Sequence, residues 1–214
     1  MTIDPVDFAS LLCSRLCHDL LSPIGALNNG LELLADETDP AMRERCMELL
    51  AESARTSAAK LKFFRLAFGA AGGFGESVDS REAQVAIEGL FGEAKRLTVN
   101  WMVEEPLLPK TAIKVLLNLA MIAGDALVRG GTLDIGGEMN GDAVEIVLKA
   151  EGPRITLDEE LRSTLVDGKA AGAVTPRAAA AFLVNALVTG AGGQVLVSAP
   201  ADDVLLFGAT LRPR

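Results

Sequence analysis

The sequence predicts two domains: an all-α helical hairpin that forms a four-helix bundle in a dimer, followed by an α+β sandwich. Residues 8–68 carry two long segments in which apolar residues recur at helical spacing, and each leaves one apolar stripe. A glycine-rich stretch, Gly69–Gly75, follows and predicts a linker between domains 1–70 and 76–214. Beyond it, helical and strand periodicities alternate, which is typical of one helical layer on a mixed, mostly antiparallel sheet.

Composition and charge narrow the class of protein. Hydrophobic residues make up 50% of the chain, which is ample for a core. The net charge of −9 makes nucleic acid and anionic membrane surfaces poor partners, so a protein partner is favoured. The sequence has neither a segment long enough to span a membrane nor a signal peptide, and we expect a cytoplasmic protein. The three cysteines have an odd count and no metal-type spacing, which suits a reducing compartment.

The first helix is predicted from about Phe8 to Ala35, after Asp4 and Pro5, with Asp7 as the candidate N-cap. Pro23 lies inside it and should bend it, because a proline removes one backbone hydrogen bond. Six residues at steps of three and four form its apolar stripe: Leu16, Leu20, Ile24, Leu27, Leu31 and Leu34.

His18 is the only histidine, and it lies on the other side of this helix. At about 100° per residue, His18 is about 160° from the centre of the stripe, so its side chain should point into solvent. The same face carries small or polar residues, which leave room for another protein, and two leucines typical of a docking surface. These residues are Leu11, Ser14, Leu21, Ser22, Gly25 and Asn29. Two plainer interpretations remain: a structural histidine, and haem attachment through Cys13, Cys17 and His18, whose spacing is one residue too long.

The second helix is predicted from Pro40 to about Phe68, with Asp39 as N-cap. Its stripe is Cys46, Leu49, Leu50, Ala54, Leu61, Phe64 and Phe68, and small residues at Ser53, Ser57 and Ala58 allow close helix approach. A two-helix hairpin has too little surface for its own core, so we predict a homodimer through residues 8–68. The antiparallel register places His18 level with residues 58–62. Lys60 and Lys62 are therefore candidates to lie beside it, or else are ordinary solvated lysines.

The second domain is predicted element by element from the same periodicities. Its helices are Ser80–Leu97, Lys110–Val128, Asp158–Leu165 and Pro176–Val188. Its strands are Thr98–Val103, Thr132–Glu138, Ala143–Leu148, Gln194–Ser198 and Val204–Leu211. Two hairpin turns join neighbouring strands, one at Asn140-Gly141 and one at Ala201–Asp203.

The segment from His18 to Ile24, HDLLSPI, resembles the H-box of two-component sensor histidine kinases. The resemblance implies that His18 is a phosphoacceptor. Asp19 would then orient His18 or tune its basicity, and Ser22, one turn further on, would contact the phosphate or the partner. Arg15, one turn earlier, would pair with a phosphoryl group. The alternative for both Asp19 and Ser22 is a simple solvated helix residue.

The element order after residue 76 resembles the ATP-binding domain of the same kinases, but the residues that bind nucleotide are replaced. Within Asn118–Leu127, Ile122 stands where the kinases have a metal-chelating Asn. Within Ala150–Ile155, Ala150 stands at the adenine-binding Asp and Arg154 at a glycine. The phosphate-loop glycines are replaced by Pro176, Ala178 and Ala180. These changes remove the adenine acceptor and a Mg²⁺ ligand and add Cβ atoms against the phosphates, so we expect no ATP binding.

Over nearly its whole length the sequence resembles the ChpT-type histidine phosphotransferases of alphaproteobacterial phosphorelays, whose second domain is of the degenerate histidine-kinase ATPase type. The resemblance implies transfer of a phosphoryl group from the receiver domain of a hybrid histidine kinase to His18, and then to response regulators of the cell cycle. It implies no cofactor or metal in this chain, with Mg²⁺ supplied by the partner receiver. Two alternatives stay open: an ATP-dependent sensor histidine kinase with an atypical pocket, and a non-catalytic receiver-binding protein.

Overall fold

The chain forms a long helical hairpin followed by a layer of helices on a five-stranded sheet. The structure is a computed structural model and describes residues 3–69, 76–92, 96–168, 175–199 and 204–212. The helices are α1 (Pro5–Asp36), α2 (Pro40–Ala67), α3 (Ser80–Phe91), α4 (Lys110–Ala126), α5 (Glu159–Asp167) and α6 (Ala179–Gly190). The strands are β1 (Ser77–Asp79), β2 (Leu97–Val103), β3 (Leu107–Pro109), β4 (Gly131–Asn140), β5 (Ala143–Glu151), β6 (Gln194–Val197) and β7 (Val204–Leu211).

Both hairpin helices begin at a proline that follows an aspartate cap. The Asp4 carboxylate accepts a hydrogen bond from the Val6 N–H at 2.8 Å, so Asp4 is the N-cap of α1 and the prediction of Asp7 was wrong. The reason is that Pro5 suits the first helical position, which needs no backbone donor. Asp39 caps α2 as predicted, with its carboxylate 3.2 Å from the Ala41 nitrogen.

The two hairpin helices approach each other closely at small residues. Ser53 of α2 is buried, and within the same helix the Ser57 hydroxyl donates to the Ser53 carbonyl at 2.8 Å. A further close approach occurs at Gly30, where an added Cβ would lie 2.9 Å from Cδ2 of Leu50. Helix α1 is continuous through Pro23, which is buried.

Part of the predicted apolar stripes stays in solvent in a single chain. Leu16 and Leu20 pack against the core, whereas Ile24 is 50% exposed and Leu31 is 58% exposed. Two stripe residues of α2, Leu49 and Leu61, are exposed as well. The hairpin therefore keeps an uncovered apolar side on both helices.

The five-stranded sheet has the order β2-β4-β5-β7-β6, with β2 parallel to β4 and every other pair antiparallel. The predicted mixed, mostly antiparallel sheet is thus confirmed, and Gly141, at φ +65°, makes the predicted turn between β4 and β5. A second, two-stranded sheet of β1 and β3 was not predicted. Strands of three residues are too short to show alternation.

Two helices end or begin at residues other than those predicted. The predicted helix Ser80–Leu97 stops at Phe91, because Gly92 adopts φ +53° as C-cap and its N–H bonds to the Glu88 carbonyl. The helix predicted to begin at Pro176 begins at Ala179. The predicted linker residues 70–75 and the predicted turn 201–203 lie outside the described residues.

The last turns of α2 lie in the core of the second domain. Phe63, Phe64, Leu66 and Ala67 are buried in one hydrophobic cluster with the apolar side of α4. The side-chain amide of Asn118 in α4 donates to the Ala67 carbonyl at 3.2 Å. The core therefore runs across the predicted domain boundary. Among the described residues, none of the helices has the length and apolar character that crossing a membrane requires.

Candidate functional site

His18 projects from the middle of α1, and its side chain is 86% exposed, as the helical period predicted. It borders an open cleft of about 790 Å³ between α1 and the second domain. Its ring nitrogen Nδ1 lies 3.1 Å from Oδ1 of Asp19. The other ring nitrogen, Nε2, is the one available to a reaction partner.

The Asp19 carboxylate fixes the tautomer of His18. Oδ1 of Asp19 contacts His18, and Oδ2 accepts a hydrogen bond from Nε of Arg15 at 2.6 Å. An ionised carboxylate only accepts hydrogen bonds, so the proton of a neutral His18 resides on Nδ1 and Nε2 carries the lone pair. The Asp19 side chain is only 18% exposed, which gives the contact a definite geometry.

Asp19 is kept ionised by its surroundings. Burial alone would raise the pKa of Asp19, but the hydrogen bond with His18 and the charges of Arg15 and Lys60 lower it below its ordinary value. Lys60 donates through Nζ to the backbone carbonyl of Asp19 at 2.7 Å. The antiparallel register predicted for the hairpin is therefore confirmed at Lys60.

Arg15 links α1 to α4 beneath His18. Its Nη2 donates to Oδ2 of Asp125 in α4 at 2.9 Å, while its Nε holds Asp19. Burial would lower the pKa of Arg15, but the carboxylates of Asp19 and Asp125 raise it above its ordinary value. Sequence reasoning missed Asp125. Its partner Arg15 lies 110 positions away, so no local pattern indicated the contact.

The cleft beside His18 has a second wall, which sequence reasoning also missed. Thr175, Pro176 and Arg177, just before α6, line it opposite α1. The Arg177 guanidinium lies 3.2 Å from the Asp158 carboxylate and remains largely exposed. Ser14, one turn before His18, lines the α1 side as expected. The cleft is thus lined by both His18 and a long, largely exposed cation, Arg177.

The remaining predicted contact residues divide into two groups. Leu21 and Ser22 are exposed on α1, Gly25 has open space where a Cβ would stand, and Leu11 is half-buried. Lys62 lies elsewhere, in a groove between α2 and α3 that shares no residue with the cleft of His18.

Among the described residues, a small cavity of about 20 Å³ lies between the C-terminal half of α4 and the start of α6. Ile122 and Ala180 line it, two of the replacements noted in the sequence. The backbone after β5 is bonded to the end of α4, because the Thr156 N–H donates to the Ala126 carbonyl at 2.9 Å and Leu127 bridges Ile155. Such a cavity has room for about one water molecule.

Comparisons with known proteins agree with this architecture. Residues 80–203 match the family described as histidine phosphotransferase C-terminal domain. The chain is 34% identical over 206 residues to protein phosphotransferase ChpT of Brucella abortus, and the match covers 96% of each chain. It also matches a solved structure described as a bacterial phosphotransferase, with a TM-score of 0.85, 33% identity and 98% of each chain covered.

Proposed function

Because the chain belongs to the ChpT-type family of histidine phosphotransferases, we propose that His18 is the residue that carries the phosphoryl group. Phosphotransfer in two-component signalling is the function of this family, and the chain is a phosphotransferase. The donor in this proposal is the phospho-aspartate of a hybrid kinase receiver domain, and the acceptors are the aspartates of response regulators. The contact between His18 and Asp19 is the observation that carries the proposal.

The transfer uses Nε2 of His18 as nucleophile. Its lone pair attacks the phosphorus of the donor in line, the N–P bond forms as the bond to the aspartate oxygen breaks, and the aspartate leaves as a carboxylate. The ring keeps its proton on Nδ1, where the ionised Asp19 offsets the positive charge that develops on the imidazole. The reverse path delivers the group to a second receiver. Mg²⁺ bound by the receiver would neutralise the phosphoryl oxygens.

Arg15 acts in this proposal as a positioning residue. Its Nε and Nη2 already donate to the carboxylates of Asp19 and Asp125, so Arg15 is poorly placed to pair with a phosphoryl group. Arg177 lines the same cleft and is largely exposed, so it is the better candidate to contact the incoming phosphate or receiver.

We further propose that the second domain does not bind nucleotide. Ala150 and Ile122 offer neither an acceptor for adenine nor a ligand for Mg²⁺, and the cavity that Ile122 and Ala180 line has a volume of about 20 Å³. Opening it would break the backbone bonds between the end of α4 and residues 155–156. The domain instead supports α1 and offers a surface to partners in the cytoplasm.

A homodimer through the hairpin completes the proposal. Ile24 and Leu31 on α1 and Leu61 on α2 are exposed apolar residues, and pairing with a second hairpin in a four-helix bundle would bury them. Because each of the three is about half exposed in the single chain, its burial adds about 1 kcal/mol to such an interface. His18 lies on a different side of α1 and stays accessible.

The decisive experiment replaces His18 by Ala and incubates the protein with a radiolabelled, phosphorylated receiver domain. No label should reach the variant, because the chain has no other histidine. The circular dichroism spectrum of the variant should match that of the wild type. Its free energy of unfolding should stay within about 0.5 kcal/mol of the wild-type value, since loss of an exposed side chain leaves no cavity. Asp7→Asn, a change at an exposed position of α1 outside the cleft, is the control. Labelled His18→Ala protein would show that the phosphate is carried elsewhere.

A further inference from the structure

A second concave surface lies between α2 and α3, on the side of α2 that faces away from α1. It has a volume of about 710 Å³. Its floor consists of small or apolar residues, namely Ala58, Ala59, Leu66, Val85, Ala86 and Gly89. The helices are close here, because a Cβ at Gly89 would lie 3.3 Å from Cβ of Ala59. Val85 is 65% exposed, which is unusual for a valine inside a groove wall.

The rim of this groove is basic, although the protein as a whole is acidic. Arg55, Lys62, Arg65 and Arg81 line it together with one carboxylate, that of Glu82. All four cations are exposed, and among the described residues none of the four has an ion pair. In a chain of net charge −9, four such cations around one apolar floor form a local field opposite in sign to the rest of the surface.

We infer that this groove binds an acidic amphipathic helix of a protein partner. Two packed helices with small side chains between them form the kind of groove into which a third helix lays its apolar face. The exposed Val85 and the alanines would contact that face. Carboxylates along the edges of the bound helix would meet the four cations, which sets both the orientation and the choice of partner.

The inference does not depend on the chemistry of His18. The groove and the cleft beside His18 share no residue; Lys62 lines the groove, whereas Lys60 bonds to the backbone of Asp19. A partner could therefore occupy the groove while a receiver occupies the cleft. An anionic lipid surface is a poorer fit, because the apolar floor is concave and the rest of the protein is negatively charged.

The test titrates the full chain into a fluorescein-labelled designed peptide helix with leucine and alanine on one face and glutamate on the other. Fluorescence anisotropy should rise to saturation and the affinity should fall as salt is added. The double variant Arg55→Glu, Arg81→Glu should lower the affinity by about tenfold or more, and Val85→Asp should lower it too. Arg45→Glu, at an exposed position of α2 outside the groove, should change it by less than about twofold.

Several results would overturn the inference. One is equal binding of a peptide with the same composition in scrambled order, which would reveal charge attraction without a helix site. Others are an absence of saturation at millimolar peptide, an affinity indifferent to the groove variants, or groove-dependent binding of phosphatidylglycerol vesicles in place of the peptide. His18→Ala protein should bind the peptide as the wild type does, so failure of the phosphocarrier proposal would leave this result unchanged.

Discussion

Replacing Asp19 by Asn removes one negative charge beside His18 and leaves the shape of the side chain almost unchanged. Oδ1 of the amide can still accept from Nδ1 at the observed 3.1 Å. The hydrogen bond becomes neutral, however, and charged hydrogen bonds contribute about 1.5–3 kcal/mol against about 0.5–1.5 kcal/mol for neutral ones. Because His18 is 86% exposed, the difference should fall near the lower end, at about 1 kcal/mol. The rate of phosphoryl transfer should therefore fall about fivefold to tenfold.

The assay is a single-turnover measurement of label transfer from an excess of phosphorylated receiver, so that binding does not limit the rate. A second readout uses the composition of the chain: with one histidine, ¹⁵N-histidine labelling gives one pair of ring signals. These signals should show the proton on Nδ1 in the wild type and a larger Nε2–H fraction in Asp19→Asn.

Asp7→Asn makes the same chemical change at an exposed position of α1 and is the matched control for this experiment. It should leave the rate and the ring signals unchanged. A rate for Asp19→Asn within about twofold of the wild type, with the same tautomer, would refute the idea that Asp19 positions His18.

Three other predictions concern assembly, ligand binding and pH. Ile24→Asp should convert a wild-type dimer into a monomer in light scattering, and a wild type that is already monomeric at micromolar concentration would contradict the proposed bundle. Calorimetry with millimolar Mg-ATP should show no saturable heat, whereas binding competed by ADP would revive the kinase alternative. Because the folded-state pKa of Asp19 is depressed, its stabilising effect should be complete above about pH 4 and be lost as pH falls through the folded pKa. Urea unfolding of the wild type and Asp19→Asn at pH 7 and in acid measures that loss.

Local patterns in the sequence were sufficient to predict much of the structure of the hairpin. The helical period alone placed His18 in solvent, and the aspartate-proline pair at residues 39–40 marked the start of α2. Counting residues from the hairpin turn predicted that Lys60 lies next to the turn of α1 that carries His18, and Lys60 does bond to the Asp19 carbonyl. Each of these inferences rests on geometry that repeats over a few residues, which is why one sequence suffices.

Other features depended on contacts that leave no local trace. Asp125 forms an ion pair with Arg15, which lies 110 positions away in the sequence, and no local pattern around either residue predicts this contact. The close approach at Gly30 depends on Leu50 in the facing helix. Two misjudged helix ends had a usable signal, since Pro5 pointed to Asp4 as the cap and Gly92 to the end of α3.

The burial of the end of α2 has a consequence for how this protein can be divided or recombined. A hairpin excised at residue 70 would bring Phe63 and Phe64 into water, which costs about 2–3 kcal/mol for each phenylalanine. Lys60, which holds the backbone of Asp19, stands less than one turn before Phe63. Grafting the hairpin onto a foreign domain would therefore disturb the contact between Lys60 and the backbone of α1 beside His18. A workable chimera has to carry the facing side of α4, Asn118 and Asp125 included, along with the hairpin.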